Sequence, residues 1–211
     1  MRLFSHRQRA AHLGPYPLER LQRSGESVPL DAIAPPPGLP EDCPAHSLAG
    51  ATRSYLQVAD ELRDGEAATH RAPVPGDLLA RANNIKGACY FLDATMVGIC
   101  EVPGIAITDR ASSVVRDDDF AIVILFEHTR DPVASEPGGA WLEGVQAYRA
   151  AARVGEIAVV IAEYLRQLGR TGRVHTITAT DVNLHALVVA AGLGEAVGDG
   201  VEAPFIGAGF G

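Results

Sequence analysis

AWLEGVQAYRAAARVGEIAVVIAEYLRQLG occupies residues 140–169, and its apolar positions set the architecture. Leu142, Val145, Ala151, Ala152, Ile157, Val160, Ile161, Tyr164, Leu165 and Leu168 follow a helical repeat, and Gly169 supplies the stop. As one continuous helix the stretch extends about 45 Å, at a rise of 1.5 Å per residue. An apolar face of that length needs a layer to lie on. Gly144 and Gly155 mark places where the helix bends or a neighbour comes close.

The layer is sought on either side. Upstream, FAIVILFEH from Phe120 is dense in branched residues and reads as an interior strand, while TMVGIC, ending before Pro103, reads as a shorter one. Before these, DLLARANNIKGACYFLDA predicts a helix capped by Asp77, with Leu78, Leu79, Ala82, Ile85, Ala88, Cys89 and Leu92 at helical spacing. Downstream, RVHTITAT predicts a strand and DVNLHALVVAAGLGE a helix capped by Asp181. The order is helix, strand, strand, long helix, strand, helix. It predicts an α+β fold in which a partial sheet is covered by long packed helices. Three strands are few for so much helix, so the sheet is expected to be shared or completed from elsewhere.

Residues 1–76 differ from the body at 77–211. They hold ten of the fourteen prolines, which restrict their neighbours and interrupt regular elements. This is a proline-rich N-terminal arm with one short helix, in HSLAGATRSYLQVADELRDGEAA. Leu13, Tyr16, Leu18 and Leu21 in LGPYPLERL favour an arm docked on the body or on a partner.

Composition narrows the function. The chain has 211 residues, 47% hydrophobic, and a net charge of −8. That charge offers no general attraction to nucleic acid. Cys43, Cys89 and Cys100 lack any short repeated spacing, so they build neither an iron–sulfur cluster nor a structural zinc site, and a reduced cytoplasmic protein is the simple expectation. No signal-peptide core follows the basic start, and IAVVIAEYL is too short to cross a membrane. Neither GxGxxG after a strand nor GxxxxGK[ST] occurs, which leaves dinucleotide and P-loop readings unsupported.

The candidate ligand contacts lie at element ends. His175, Thr176 and Thr178 lead into a helix N-terminus, where hydroxyls and backbone donors converge, and Glu127 and His128 close the strongest strand. The plain alternative for the threonines is one face of a half-solvated strand. Tyr148 is expected to pack and Arg149 to reach solvent, because adjacent helix positions diverge by about 100°. Glu156 and Glu163 read as a solvated helix face, and Cys89 and Cys100 as inert apolar residues. No catalytic residue and no metal ligand is assigned.

HLGPYPLERL, RANNIKGACYFLDATMVGIC, AYRAAARVGEIAVVIAEYLRQLGR, HTITATDVNLHALVVAAGLGE and the closing PFIGAGFG together resemble the N-terminal part of cobalamin-dependent reductive dehalogenases. The middle of the pattern is also similar to epoxyqueuosine reductase. The resemblance implies a nitroreductase-like fold that binds a corrinoid, with a tyrosine and a basic residue supplying a proton and two iron–sulfur clusters delivering electrons. In that family these catalytic parts follow the glycine-rich segment, and the cluster cysteines have no counterpart here. The implied role is a cobalamin-associated subunit or domain that completes its site with a partner polypeptide. FMN in a nitroreductase-like homodimer, or a nonenzymatic assembly subunit, are the alternatives. Phe205, Ile206 and Phe210 in PFIGAGFG are then expected at a truncation point or docking edge, covered by the partner.

Overall fold

The computed structural model describes residues 29–41, 43, 46–108, 115, 119–129, 133, 135–142 and 144–211. The LGPYPLERL stretch lies outside them. Five α-helices and two small antiparallel sheets, beside short 3-10 turns at Leu30–Ala32 and Gly104–Ala106, are the regular elements of the described part: α1 (Leu48–Glu61), α2 (Leu78–Phe91), β1 (Met96–Glu101), β2 (Phe120–Leu125), α3 (Gly139–Leu142), α4 (Val145–Gln167), α5 (Leu184–Ala190), β3 (Glu195–Val197) and β4 (Gly200–Glu202). The α+β class expected from the sequence is what forms.

β1 and β2 pair antiparallel, Met96 opposite Leu125 through Glu101 opposite Phe120. Alternation sorts their side chains onto two faces. Met96, Val123 and Leu125 join Ala186, Leu187 and Val188 of α5 in one core cluster. Val97 and Ile124 join Cys89 and Tyr90 of α2 and Ile157 and Ile161 of α4 in another. The pair is thus covered by helices on both faces, as an interior sheet is. Gly98 lets α5 come this close, since a Cβ there would lie 2.9 Å from both the Cβ and the carbonyl oxygen of Ala191.

A third cluster joins α1 to α4 through Ala49, Leu56, Val145, Tyr148, Ala151 and Ala152. The described part of the proline-rich arm therefore lies on the body. Ser47 caps α1 by accepting from Gly50 N–H at 3.1 Å, and Asp77 caps α2, as the sequence predicts, through Leu79 and Ala80 N–H.

Three expectations are corrected. The 140–169 helix is two helices, α3 and α4, because Gly144 takes φ +68° and α4 starts anew behind it. RVHTITAT forms no strand. Thr176 and Ala179 instead exchange backbone hydrogen bonds in a tight turn, and the threonine hydroxyls bind Asp60. α5 is capped by Asn183, whose side chain accepts from Ala186 N–H at 3.2 Å, not by Asp181. Leu78 and Leu79 are 74% and 66% exposed, because only the second half of α2 reaches the sheet.

Candidate functional site

The end of β2, the C-terminal segment and the first half of α4 converge. Phe126 exchanges backbone hydrogen bonds with Gly211, at 3.2 and 3.0 Å, and His128 N–H donates to Gly209 O at 2.7 Å. Glu127 bridges Phe210, and its N–H donates to Thr95 Oγ1 at 3.0 Å. The tail thus returns as an extra antiparallel segment. It lies tight on α4: a Cβ on Gly211 would meet Ala150 at 2.8 Å. Ile206 and Phe210 pack half-buried on the α5 core cluster, so the chain itself covers them in part, and Phe205, at 74% exposure, remains open. This corrects the expectation of a tail covered wholly by a partner.

Beyond His128, Thr129 donates its hydroxyl to Gln146 Oε1 at 3.0 Å. Gln146, Arg149 and Arg153 form one stripe on α4, at i, i+3 and i+7. With Leu48, Thr52, Leu142, Val145 and Ala152 they line an open cleft of about 350 Å³ between α1, α3 and α4. The Arg149 and Arg153 guanidiniums sit over the Phe126 ring at 5.2 and 5.9 Å. Arg153 also pairs with Glu156 at 2.5 Å. Arg149 keeps a buried Nη1 that makes no hydrogen bond among the described residues. Arg149 is therefore the residue the sequence reading missed: expected in solvent, it is half-buried at the cleft. The usable signal was the polar Gln146–Arg149–Arg153 stripe on an otherwise alanine-rich face.

His175, Thr176 and Thr178 belong to a different network, at the C-terminal end of α1. Thr176 and Thr178 donate to the same Asp60 Oδ1, at 2.8 and 3.1 Å. Asp181 pairs with Arg63 and, at 2.9 Å, with Arg173, which reaches Asp64 at 2.8 Å. His175 Nδ1 accepts from Asp181 N–H at 3.2 Å, so the neutral ring carries its proton on Nε2. Burial, reinforced by the Arg63 and Arg173 charges, lowers its pKa to about 4. Neighbouring Arg166, 4% exposed, donates to Arg63 O and Gly172 O at 2.8 and 3.0 Å. Six charged groups and three hydroxyl or imidazole side chains thereby fasten α1 to the segment entering α5.

The remaining candidates behave as read. Tyr148 is 2% exposed, donates to Pro40 O and accepts from Cys43 Sγ at 3.0 Å. Burial raises the Cys89 thiol to about 12 and the Cys100 thiol to about 11, which keeps both un-ionised and inert. Glu163 lies near Arg166 at 3.5 Å on the exposed side of α4. No three histidine, cysteine, aspartate or glutamate side chains gather as a metal site among the described residues. No described helix is long and apolar enough to cross a membrane.

Solved structures place this geometry. The catabolic reductive dehalogenase NpRdhA matches at 37% identity over 100% of this chain, with a TM-score of 0.82. The chain corresponds to the N-terminal domain of a reductive dehalogenase-like protein. It spans 30% of the length of that relative. NpRdhA in complex with 3-bromo-4-hydroxybenzoic acid matches at 35% identity and a TM-score of 0.79, over 100% of this chain and 29% of that one. A reductive dehalogenase structure described for B12-dependent dehalogenation matches at 36% identity and a TM-score of 0.80, again over 100% of this chain and 29% of that one. No family model and no curated protein matches.

Proposed function

We propose that this chain is one part of a cobalamin-dependent reductive dehalogenase-like enzyme, a wall of the corrinoid site that is completed by further polypeptide. The observation that carries the reading is the likeness over its whole length, at 37% identity, to a reductive dehalogenase more than three times as long. Residues 1–76 act as the arm and 77–211 as the body of that part. Three free thiols suit a reducing, cytoplasmic setting.

The residues present fit a wall rather than a whole site. A cleft of about 350 Å³ is near the small end of ligand pockets, which run from roughly 300 to 1,000 Å³, and a corrinoid needs more room than that. Its donor chemistry suits the edge of a corrin ring, which carries amide carbonyls: Arg149 has an unused guanidinium nitrogen there, and Thr52 stands beside it. Glu127 and His128, one step away through Thr129 and Gln146, flank this wall. His175, Thr176 and Thr178 form a second set of contacts, through the imidazole Nε2 and the outward face of Thr178. When bound, the corrinoid supplies the cobalt chemistry that cleaves a carbon–halogen bond; this chain's residues hold and orient it.

The test is purification of the chain alone and with the NpRdhA portion it does not cover, followed by absorption spectroscopy and native mass spectrometry. The expected result is a heteromeric assembly that retains a corrinoid, with the isolated chain colourless. A homodimer carrying FMN, or an assembly that excludes corrinoid, overturns the cofactor assignment.

A further inference from the structure

One edge of the main sheet is unfinished. Val102 N–H donates to Asp119 O at 2.8 Å, in register with the β1–β2 pairing, so Ala121, Val123 and Leu125 turn their backbone groups toward β1. Phe120, Ile122 and Ile124 turn theirs the other way. Phe126, next in that series, is bonded to Gly211, and His128 to Gly209. No hydrogen bond among the described residues reaches the outward N–H and C=O groups of Phe120, Ile122 and Ile124. Ile124 is only 9% exposed, between helices on both faces, so at that end of the edge water is a poor substitute.

The two edges of the sheet are treated differently. On the outer edge of β1, Val97 N–H donates to Tyr90 Oη at 3.0 Å, and Glu101 ends the strand with a charge. β2 reads Phe-Ala-Ile-Val-Ile-Leu, with no charge, proline or bulge to discourage pairing. That is the composition of an interior strand placed at an edge.

We propose that an extended apolar segment of the remaining dehalogenase body pairs with Phe120–Ile124, antiparallel to β2 and in line with Gly209–Gly211. The inference rests on the reading of this chain as part of such a body. Direction follows from the tail, which already holds the far end of the same edge in antiparallel sense. Side-chain chemistry follows from the two covered faces, which require apolar residues at both alternating positions of the incoming strand. The choice of occupant follows from the 30% share of NpRdhA that this chain spans, which leaves ample polypeptide in the same body to provide it.

The probe is the NpRdhA portion that this chain does not cover, co-expressed with the full 211-residue chain. Residue-resolved hydrogen exchange is read at the amides of Phe120, Ile122 and Ile124, with Ala121 and Val123 as controls already protected by β1. On assembly the three outward amides slow by about 100-fold or more while the controls change little. Phe120→Lys, at a position 68% exposed, keeps the isolated chain's melting temperature and weakens capture by roughly tenfold. A corrinoid-bearing assembly in which these amides still exchange freely overturns the edge pairing and leaves the dehalogenase reading intact. Slow exchange in an assembly without corrinoid supports the pairing and removes the cofactor. Concentration-dependent protection in the isolated chain assigns the edge to a second copy and overturns the proposal, as does failure to assemble.

Discussion

His175 and Arg166 show opposite ways of keeping a polar side chain inside a protein. The imidazole stays neutral: burial and two arginines lower its pKa from 6.5 to about 4. Below pH 6.5 the unfolded chain takes up a proton that the folded chain refuses. Stability from the neutral ring is therefore complete above pH 6.5, declines as pH falls from 6.5 toward 4, and is gone below that. The shift corresponds to about 3 kcal/mol. His175→Asn retains an acceptor near the Nδ1 position but cannot titrate, so urea unfolding from pH 7.5 to 4 should show a shallower acid limb than the parent. Parallel profiles for the two proteins would remove His175 from the acid response. Arg166 is instead matched by two carbonyls and Glu163. Arg166→Met fills similar volume but strands the Arg63 and Gly172 carbonyls, for an expected loss of roughly 2–4 kcal/mol by chemical denaturation. A loss under 1 kcal/mol would mean that water replaces the guanidinium there.

At the scale of elements, helix boundaries discriminate between neighbours in sequence. Asn183 caps α5 and Asp181 does not. Asn183→Ala should cost about 1 kcal/mol for the lost cap, with an additional cost because its amide also donates to Ile33 O at 2.7 Å. Asn183→Asp keeps the capping oxygen and loses only the second bond, so it should fall between parent and alanine in urea midpoint. An aspartate variant as unstable as alanine would show that the Ile33 contact, not the cap, governs the site. The choice between Asp181 and Asn183 was not legible in the sequence, since both are good caps two residues apart. Three arginines distributed over distant segments decided it by drawing residues 60–64 and 173–181 together. The Asp77 cap, the β2 run and the Gly169 stop were legible because each depends on local chemistry alone. The 140–169 stretch was half legible: its apolar repeat runs through Gly144, and only the backbone sign at that glycine separates α3 from α4. RVHTITAT was misread because threonines that alternate like a strand also make hydroxyl bonds that replace a ladder. Glu127 and His128 do follow the β2 strand, as the run of branched residues implies, whereas the position of Arg149 depended on Phe126, which lies far away in sequence.

Across the whole molecule, the question is whether the proline-rich segment and the body fold as one unit. Leu56 of α1 is 1% exposed and sits against Val145, Tyr148 and Ala152 of α4, while Ile33 is buried among residues of α5 and β4. The Asp60–Arg63–Asp64 end of α1 is tied by hydrogen bonds and ion pairs to Thr176, Arg173 and Asp181. These attachments span separate core clusters, so releasing α1 exposes the apolar face of α4 and separates Arg63 from Asp181 and Asp64 from Arg173. Coupling of that kind makes a single cooperative transition the expected behaviour. Leu56→Ala should then lower stability by about 2–5 kcal/mol. For a chain of this size that corresponds to a fall in melting temperature of roughly 5–15 °C, with one transition preserved. Far-ultraviolet circular dichroism and the fluorescence of Trp141 would follow it together, because the tryptophan belongs to α3, which packs against α1. If the variant instead melts in two steps, with α1 lost first and the sheet surviving, the arm is a separable attachment. A single shifted transition makes it part of the framework that presents the cleft and the open β2 edge.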